Sequence, residues 1–188
     1  YTTLCRSASV GMMEVLFPLY MDSLNYVKSS IGILFFVLSL FLVFGQPLTG
    51  YWMDRVGPYV TVLVGFFLIS LSLSLMILLK SFAYWIPVFI VFGVALGMVL
   101  SASMLLIALN SEPGEQGSAY GIWNFSFSVG YLVGPSLGGT ISDFFHALVP
   151  SIRFQVPFFF FSVLMLLCLF FFRFLIPRGR SSLLSNLN

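Results

Sequence analysis

Apolar stretches of about twenty residues recur along this chain, and they limit its possible folds more than any other feature. A transmembrane helix needs about 20 mostly apolar residues. Six stretches reach this length, at about 5–24, 30–53, 59–79, 83–109, 118–142 and 155–176. Only 7% of the residues are charged, against about a quarter in a soluble domain. Because backbone groups in lipid must be hydrogen-bonded within the chain, we predict an all-α membrane protein with six transmembrane helices.

The connections between these stretches are short, and their Lys and Arg residues indicate the orientation. One side collects Arg6, Arg55, Arg173, Arg178 and Arg180, and the other collects Lys28, Lys80 and Arg153. Since positive residues accumulate in cytoplasmic loops, we expect both ends in the cytoplasm and a cytoplasmic tail over 177–188. The chain starts at Tyr1 rather than Met, with Arg6 just before the first apolar run, so we expect it to belong to a longer protein. Its membrane is either the plasma membrane or that of an intracellular vesicle.

Several classes of function find no support in the sequence. The formal net charge of +2 is too small to suggest binding to nucleic acid. Cys5 and Cys168 stand near opposite ends of the chain, so neither a disulfide framework nor a CxxC metal site is indicated. There is one histidine and no HExxH pattern. We therefore expect no enzyme, no metal and no cofactor.

The stretch GIWNFSFSVGYLVGPSLGGTI, residues 121–141, combines an apolar composition with many helix-weakening residues. Gly130, Gly134 and Gly138 recur every four residues and share one helix face. This small-xxx-small pattern allows two membrane helices to approach at backbone distance, and we expect the second span as the partner. Pro135 removes a backbone hydrogen bond and favours a bend. Spaced glycines alone would favour a packing seam with no further role.

Two motifs together resemble signatures of the major facilitator superfamily of transporters. The glycine-rich stretch resembles its antiporter motif, and GYWMDRVG, residues 50–57, resembles its GxxxDRxG loop. The matching residues are Gly121, Gly130, Gly134, Pro135, Gly138 and Gly139 in the first motif, and Gly50, Asp54, Arg55 and Gly57 in the second. By their chemistry, Gly50 would permit a close helix crossing, Asp54 would cap the next helix or pair with a cation, and Gly57 would turn the chain. In the family, this loop helps to latch the two halves of the transporter.

The resemblance implies one six-helix half of a twelve-helix bundle, built from two inverted three-helix repeats. The fourth span lacks the arginine typical of N-terminal halves, which favours the C-terminal half. VGMMEVLFPLYM is similar to the drug:proton antiporter and vesicular amine transporter branch, with Glu14 at its acidic position. Leu100 and Asn124 replace two aspartates of monoamine transporters, so a polyamine-like or orphan member fits better. The implied function is proton-coupled antiport of a small organic cation by alternating access, with lipid, protons, substrate and the missing N-terminal half as partners.

Glu14 is the foremost candidate for substrate or proton binding. It stands near the middle of a span, where an acidic residue costs about 2.5–3.5 kcal/mol on insertion scales. Such a carboxyl can exchange a proton for an organic cation, although a protonated glutamate bonded to a neighbouring helix is the alternative.

Further candidates are Gln46, which could instead satisfy the carbonyl freed by Pro47, and Asn124 with Trp123. The tryptophan offers an aromatic face to a cation, while Asn124 could equally join helices. Phe158–Phe161 is expected to face lipid. A membrane receptor or scaffold that keeps the fold remains the alternative to a transporter.

Overall fold

The computed structural model describes residues 2–112, 114–149 and 152–175, and within these ranges the chain is helical and contains no strand. The helices are α1 (Thr2–Ser23), α2 (Lys28–Val56), α3 (Pro58–Leu78), α4 (Phe82–Asn110), α5 (Gln116–Leu148) and α6 (Gln155–Leu175). The predicted all-α fold of six helices is confirmed. The predicted tail over 177–188 lies outside the described residues.

The fifth helix is longer than the sequence suggested. It was expected over 118–142 but ends at Leu148. The residues from 143 to 148, DFFHAL, contain no glycine or proline that would stop a helix, and the next proline in the sequence is Pro150. Asp143 and His146 therefore belong to the last turns of α5 rather than to a connecting loop.

Four helices in the described part of the chain, namely α2, α3, α4 and α6, are long and apolar enough to cross a membrane. Helices α1 and α5 contain 22 and 33 residues, so at about 1.5 Å per residue both also exceed the ~30 Å hydrocarbon thickness. They are less apolar because α1 carries Arg6 and Glu14, and α5 carries Asn124 among many glycines and serines. Helices α1 and α5 thus combine a length sufficient to cross a membrane with polar residues inside the helix.

The packing of the helices repeats itself within the chain. α1 packs mainly along α5, α2 packs along α4, and α3 lies between α4 and α6. If α1, α2 and α3 are exchanged for α4, α5 and α6 in that order, the α1–α5 pair becomes the α4–α2 pair. This correspondence is expected of two three-helix units related as internal repeats.

Small residues allow α2 and α4 to approach closely. A methyl group added at Gly93 would lie 2.5 Å from the carbonyl oxygen of Leu38, and one at Gly97 would lie 3.1 Å from that of Leu42. From the other side, a methyl group at Gly45 would lie 3.3 Å from the Cα atom of Val94. The α2–α4 pair is therefore packed at backbone distance from both sides.

The core contains an aromatic cluster that joins α1, α4 and α6. The Phe17 ring centroid lies 4.9 Å from that of Phe89 and 6.3 Å from that of Phe158. The expectation that Phe158–Phe161 faces lipid is wrong for half of this run, because Phe158 and Phe161 are fully buried while Phe159 and Phe160 are exposed. A helix turns by about 100° per residue, so four consecutive side chains cannot share one face.

Hydroxyl groups tie α3 to α6 in the interior. The Oγ atoms of Ser70 and Ser162 lie 2.8 Å apart, and each Oγ atom lies 2.9 Å from the other residue's carbonyl oxygen. Ser74 Oγ lies 2.8 Å from Ser162 Oγ. Such bonds between membrane helices contribute about 0.6–2 kcal/mol each, so this cluster stabilises the α3–α6 pair.

Candidate functional site

The glycine face of α5 lies against α1. A methyl group at Gly130 would lie 2.5 Å from the Leu4 carbonyl oxygen, and one at Gly134 would lie 2.7 Å from the Ala8 carbonyl carbon. A methyl group at Gly138 would lie 2.5 Å from the Met12 Cγ atom. The close approach that the spacing predicted is therefore present. The predicted partner, the second span, is wrong, because α2 is engaged with α4.

The same seam is built from the α1 side by Gly11. A methyl group there would lie 2.6 Å from the Tyr131 carbonyl oxygen and 3.1 Å from the Cδ atom of Pro135. Pro135 thus lies in the seam itself. Gly121 and Gly139 contribute no close approach, since a methyl group at either position would meet nothing within 4 Å.

Glu14 lies beside this seam, near the middle of α1. Its side chain is half-buried, and its Oε2 atom accepts a hydrogen bond from the hydroxyl of Tyr131 on α5. Tyr131 was not a candidate in the sequence analysis. It stands in the glycine-rich stretch, one residue after Gly130.

Tyr131 is the last member of a row of stacked aromatic rings on α5. The ring centroids of Trp123 and Phe127 lie 6.2 Å apart, and those of Phe127 and Tyr131 lie 6.0 Å apart. The interplanar angles are 27° and 19°. We call these three residues the aromatic row. Their spacing of four residues places them on one helix face, a signal that is visible in the sequence.

Arg6 lies at the other end of the aromatic row. Its guanidinium carbon is 5.7 Å from the ring centroid of Trp123 and 5.4 Å from that of Phe127. The sequence analysis placed Arg6 just before the first apolar run, whereas α1 already begins at Thr2 and the Arg6 side chain is only 3% exposed. Packing against α5 keeps this cation inside the protein. The aromatic row therefore connects a buried cation to the Glu14 carboxyl.

The remaining candidates lie apart from Glu14. Asn124 is exposed on α5, next to the half-buried Trp123. Gln46 is half-buried in the α2–α4 seam, where its Cγ atom lies 3.6 Å from a methyl group built at Gly97. Of the four residues proposed for binding, the structure connects Glu14 and Trp123 through the aromatic row, and it places Gln46 on the other helix pair.

Two cavities open near the ends of the α1–α5 pair. One of about 490 Å³ lies at the end where α1 begins, and its wall includes Thr2, Thr3 and Trp123. The other, of about 400 Å³, lies at the opposite end, and its wall includes Asp22, Asp143 and Arg153. Asp22, Asp143 and Arg153 are thus grouped around one opening.

The connection between α2 and α3 is a single residue. Gly57 has φ = 82°, a value that favours glycine, and its N–H donates to the Met53 carbonyl at 2.8 Å. The expectation that Asp54 caps the next helix is wrong, because no side chain caps α3. A methyl group at Gly50 would meet nothing within 4 Å, so no close crossing occurs there among the described residues. Asp54 and Arg55 are exposed, and Arg55 donates to the Tyr51 hydroxyl.

The two cysteines meet in the structure although they stand far apart in the sequence. Both are free thiols, and their side chains lie next to each other between α1 and α6. Within the described ranges, no three His, Cys, Asp or Glu side chains are grouped so that they could hold a metal ion.

Comparison with known proteins gives a consistent result. The family model of the Major Facilitator Superfamily matches residues 1–186. The chain is 23% identical over 139 residues to the Quinolone resistance protein NorA of Staphylococcus aureus, covering 74% of this chain and 36% of that protein. It is 26% identical over 158 residues to Multidrug resistance protein 2 of Bacillus subtilis, covering 84% and 38%. The chain therefore spans well under half the length of these curated relatives.

Proposed function

The chain belongs to the Major Facilitator Superfamily, and from this membership we propose that it forms part of a secondary active transporter that exchanges protons for a small organic cation. Transporters built from internal repeats carry their substrate and coupling-ion sites near the bilayer midplane, between the repeats. The paired helices α1–α5 and α2–α4 fit that design. Membership in this family also favours transport over catalysis.

The observation that carries the proposal is the half-buried Glu14 carboxyl beside the glycine seam, hydrogen-bonded to Tyr131. Glu14 is the acidic residue nearest the middle of a helix in this chain. An ionisable residue inside a membrane segment is costly and typically marks an ion or substrate pathway. In the proposed cycle, Glu14 holds a proton in one access state and exchanges it for the cation in the other.

The substrate is proposed to be amphiphilic rather than purely hydrophilic. The two relatives carry names that refer to quinolone and multidrug resistance, which favours an aromatic, drug-like cation over a polyamine. The aromatic row supports the same choice, because aromatic faces attract cations and bury apolar groups. A polyamine remains the second candidate, on the resemblance of the first helix to the vesicular amine transporter branch.

A second set of helices is proposed to complete the cavity. Only 17% of an apolar 18-residue segment of α2 is buried inside the protein, and α5 exposes Ile122, Phe125 and Leu132 at 69–73% of their surface. The chain also spans only 36% and 38% of the two relatives. We propose that a missing N-terminal six-helix half covers part of these surfaces, and that lipid covers the rest.

Alternating access would then require the two halves to rock against each other. In this scheme, the glycine seam keeps α1 and α5 together as they move, and Asp54 and Arg55 contact the other half in one state. Both residues are exposed at the end of α2, as such a contact would require.

Reconstitution of the full-length protein into liposomes tests this function. A gradient that is acidic inside should drive accumulation of a permanently charged aromatic cation, and a protonophore should abolish it. Accumulation of radiolabelled spermidine, measured in the same vesicles, decides between the two substrate classes. Binding of both compounds without movement of either under any gradient would favour the receptor or scaffold alternative.

A further inference from the structure

Arg6 is buried without the partners that its charge requires. It is 3% exposed, and its Nε and Nη2 atoms have no hydrogen-bond partner among the described residues. The faces of Trp123 and Phe127 stabilise the cation to some degree, but a ring face does not replace acceptors for the N–H groups. A buried charge that lacks acceptors is strongly unfavourable.

A third donor without a partner lies in the same cluster. The Nε1 atom of Trp123 is buried and has no acceptor in the described part of the chain. Guanidinium and indole nitrogens only donate hydrogen bonds, so the three unpaired atoms all require an acceptor. A planar carboxylate matches this set, because it accepts two parallel bonds from a guanidinium and has further lone pairs for the indole N–H.

No carboxylate in the described part of the chain fills that role. Glu14 is two helical turns beyond Arg6 on α1, about 12 Å along the axis, and it accepts from Tyr131 instead. The Trp123 side chain contacts Arg6 and also forms part of the wall of the 490 Å³ cavity, so a molecule in this cavity lies one side chain away from Arg6. The cavity is large enough for a drug-sized molecule.

We propose that Arg6 and Trp123 bind a carboxylate group of the substrate, and that the transporter therefore takes zwitterionic amphiphiles in preference to simple cations. The substrate's carboxylate pairs with Arg6 and the indole N–H, its aromatic body lies along the aromatic row, and its cationic group is directed toward Glu14. This inference rests on the proposed function and specifies the class of substrate.

The test compares a zwitterionic rhodamine dye, which carries a free carboxylate, with the methyl ester of the same dye. Binding to the full-length protein in detergent is measured by fluorescence anisotropy, and transport is measured separately in liposomes. We expect the acid to bind at least about 10-fold more tightly than the ester, as for a charge-assisted hydrogen bond. Arg6→Gln and Trp123→Phe should each weaken binding of the acid more than binding of the ester, and so remove most of that preference.

Arg173→Gln provides the matched control, because it removes an arginine that is exposed near the end of α6. It should keep the full preference for the acid. Equal binding of acid and ester by the wild-type protein would overturn the proposal. An equal loss of both dyes in Trp123→Phe would also do so, even if Arg6→Gln did not fold. Selective binding of the acid without transport would leave the carboxylate site in place and refute the transport function instead.

Discussion

The hydroxyl of Tyr131 donates a hydrogen bond to the carboxylate of Glu14, at the level where α1 and α5 approach at backbone distance. Gly11 stands one helical turn before Glu14. Because Gly11 has no side chain, the Tyr131 carbonyl oxygen can lie only 2.6 Å from the point where a methyl group on Gly11 would be. The close packing and the hydrogen bond therefore depend on the same pair of segments. A shift of α5 relative to α1 would change both, which gives a physical connection between protonation of Glu14 and movement of the helices.

Replacing Tyr131 with phenylalanine tests this connection, because it removes the hydroxyl and keeps the ring in the aromatic row. A hydrogen bond to a charged group is worth about 1.5–3 kcal/mol, so we expect proton-driven uptake to fall by about 10-fold or more. Tyr120→Phe is the control, since it removes a hydroxyl from the same helix that donates to the Met104 carbonyl at 3.3 Å. Equal rates for the two variants would show that the Tyr131 bond has no part in transport.

Glu14→Gln should abolish proton coupling while leaving the fold intact. The amide keeps the shape of the side chain and can still accept from Tyr131, but it cannot bind or release a proton. Uptake of the organic cation driven by a pH gradient should fall to background, with the amount of protein in the membrane unchanged. Glu115→Gln, which changes an exposed glutamate before α5, should transport normally. Wild-type uptake by Glu14→Gln would place the coupling residue elsewhere in the full-length protein.

The existence of six helices could be predicted from the sequence because it depends on local properties. These are the length of each apolar stretch and the need of backbone groups in lipid for hydrogen-bond partners within the chain. The partner of the glycine seam could not, because short loops place neighbours in sequence side by side without deciding which faces meet. Gly130 and Gly134 predicted a close approach, but only the packed structure shows that Ala8 lies opposite.

Arg6 shows a different limit of sequence-based inference. Near the start of an apolar run, an arginine is normally expected to reach the membrane surface. Its burial is decided by the aromatic residues of α5, which are more than a hundred positions away in the chain. The role of Glu14, in contrast, was suggested by its cost in a membrane span alone, and the structure adds Tyr131 as its partner.

The serine cluster offers a test of the interior that is independent of transport. Ser162→Ala removes the hydroxyl that lies 2.8 Å from both the Ser70 and the Ser74 hydroxyls. Interhelical bonds of this kind contribute about 0.6–2 kcal/mol, so the melting temperature of the purified protein should fall by a few degrees. Ser128→Ala, at an exposed position on α5, should melt like the wild-type protein. If both variants melt alike, the α3–α6 contact does not depend on these bonds.

Gly134→Leu tests the seam directly, because there is no space for a side chain at that position. Even the first carbon would lie within 2.7–2.8 Å of Ala8 backbone atoms, and rigid backbone on the facing helix cannot move aside as a flexible side chain could. Overpacking a close contact costs about 1–3 kcal/mol or more, so we expect α1 and α5 to separate and folded protein to be lost, as measured by size-exclusion chromatography of membrane extracts. Gly121→Leu adds the same side chain to the same helix where a methyl group meets nothing within 4 Å, and it should be recovered as folded protein. Normal recovery of Gly134→Leu would mean that α1 and α5 do not pack through this glycine.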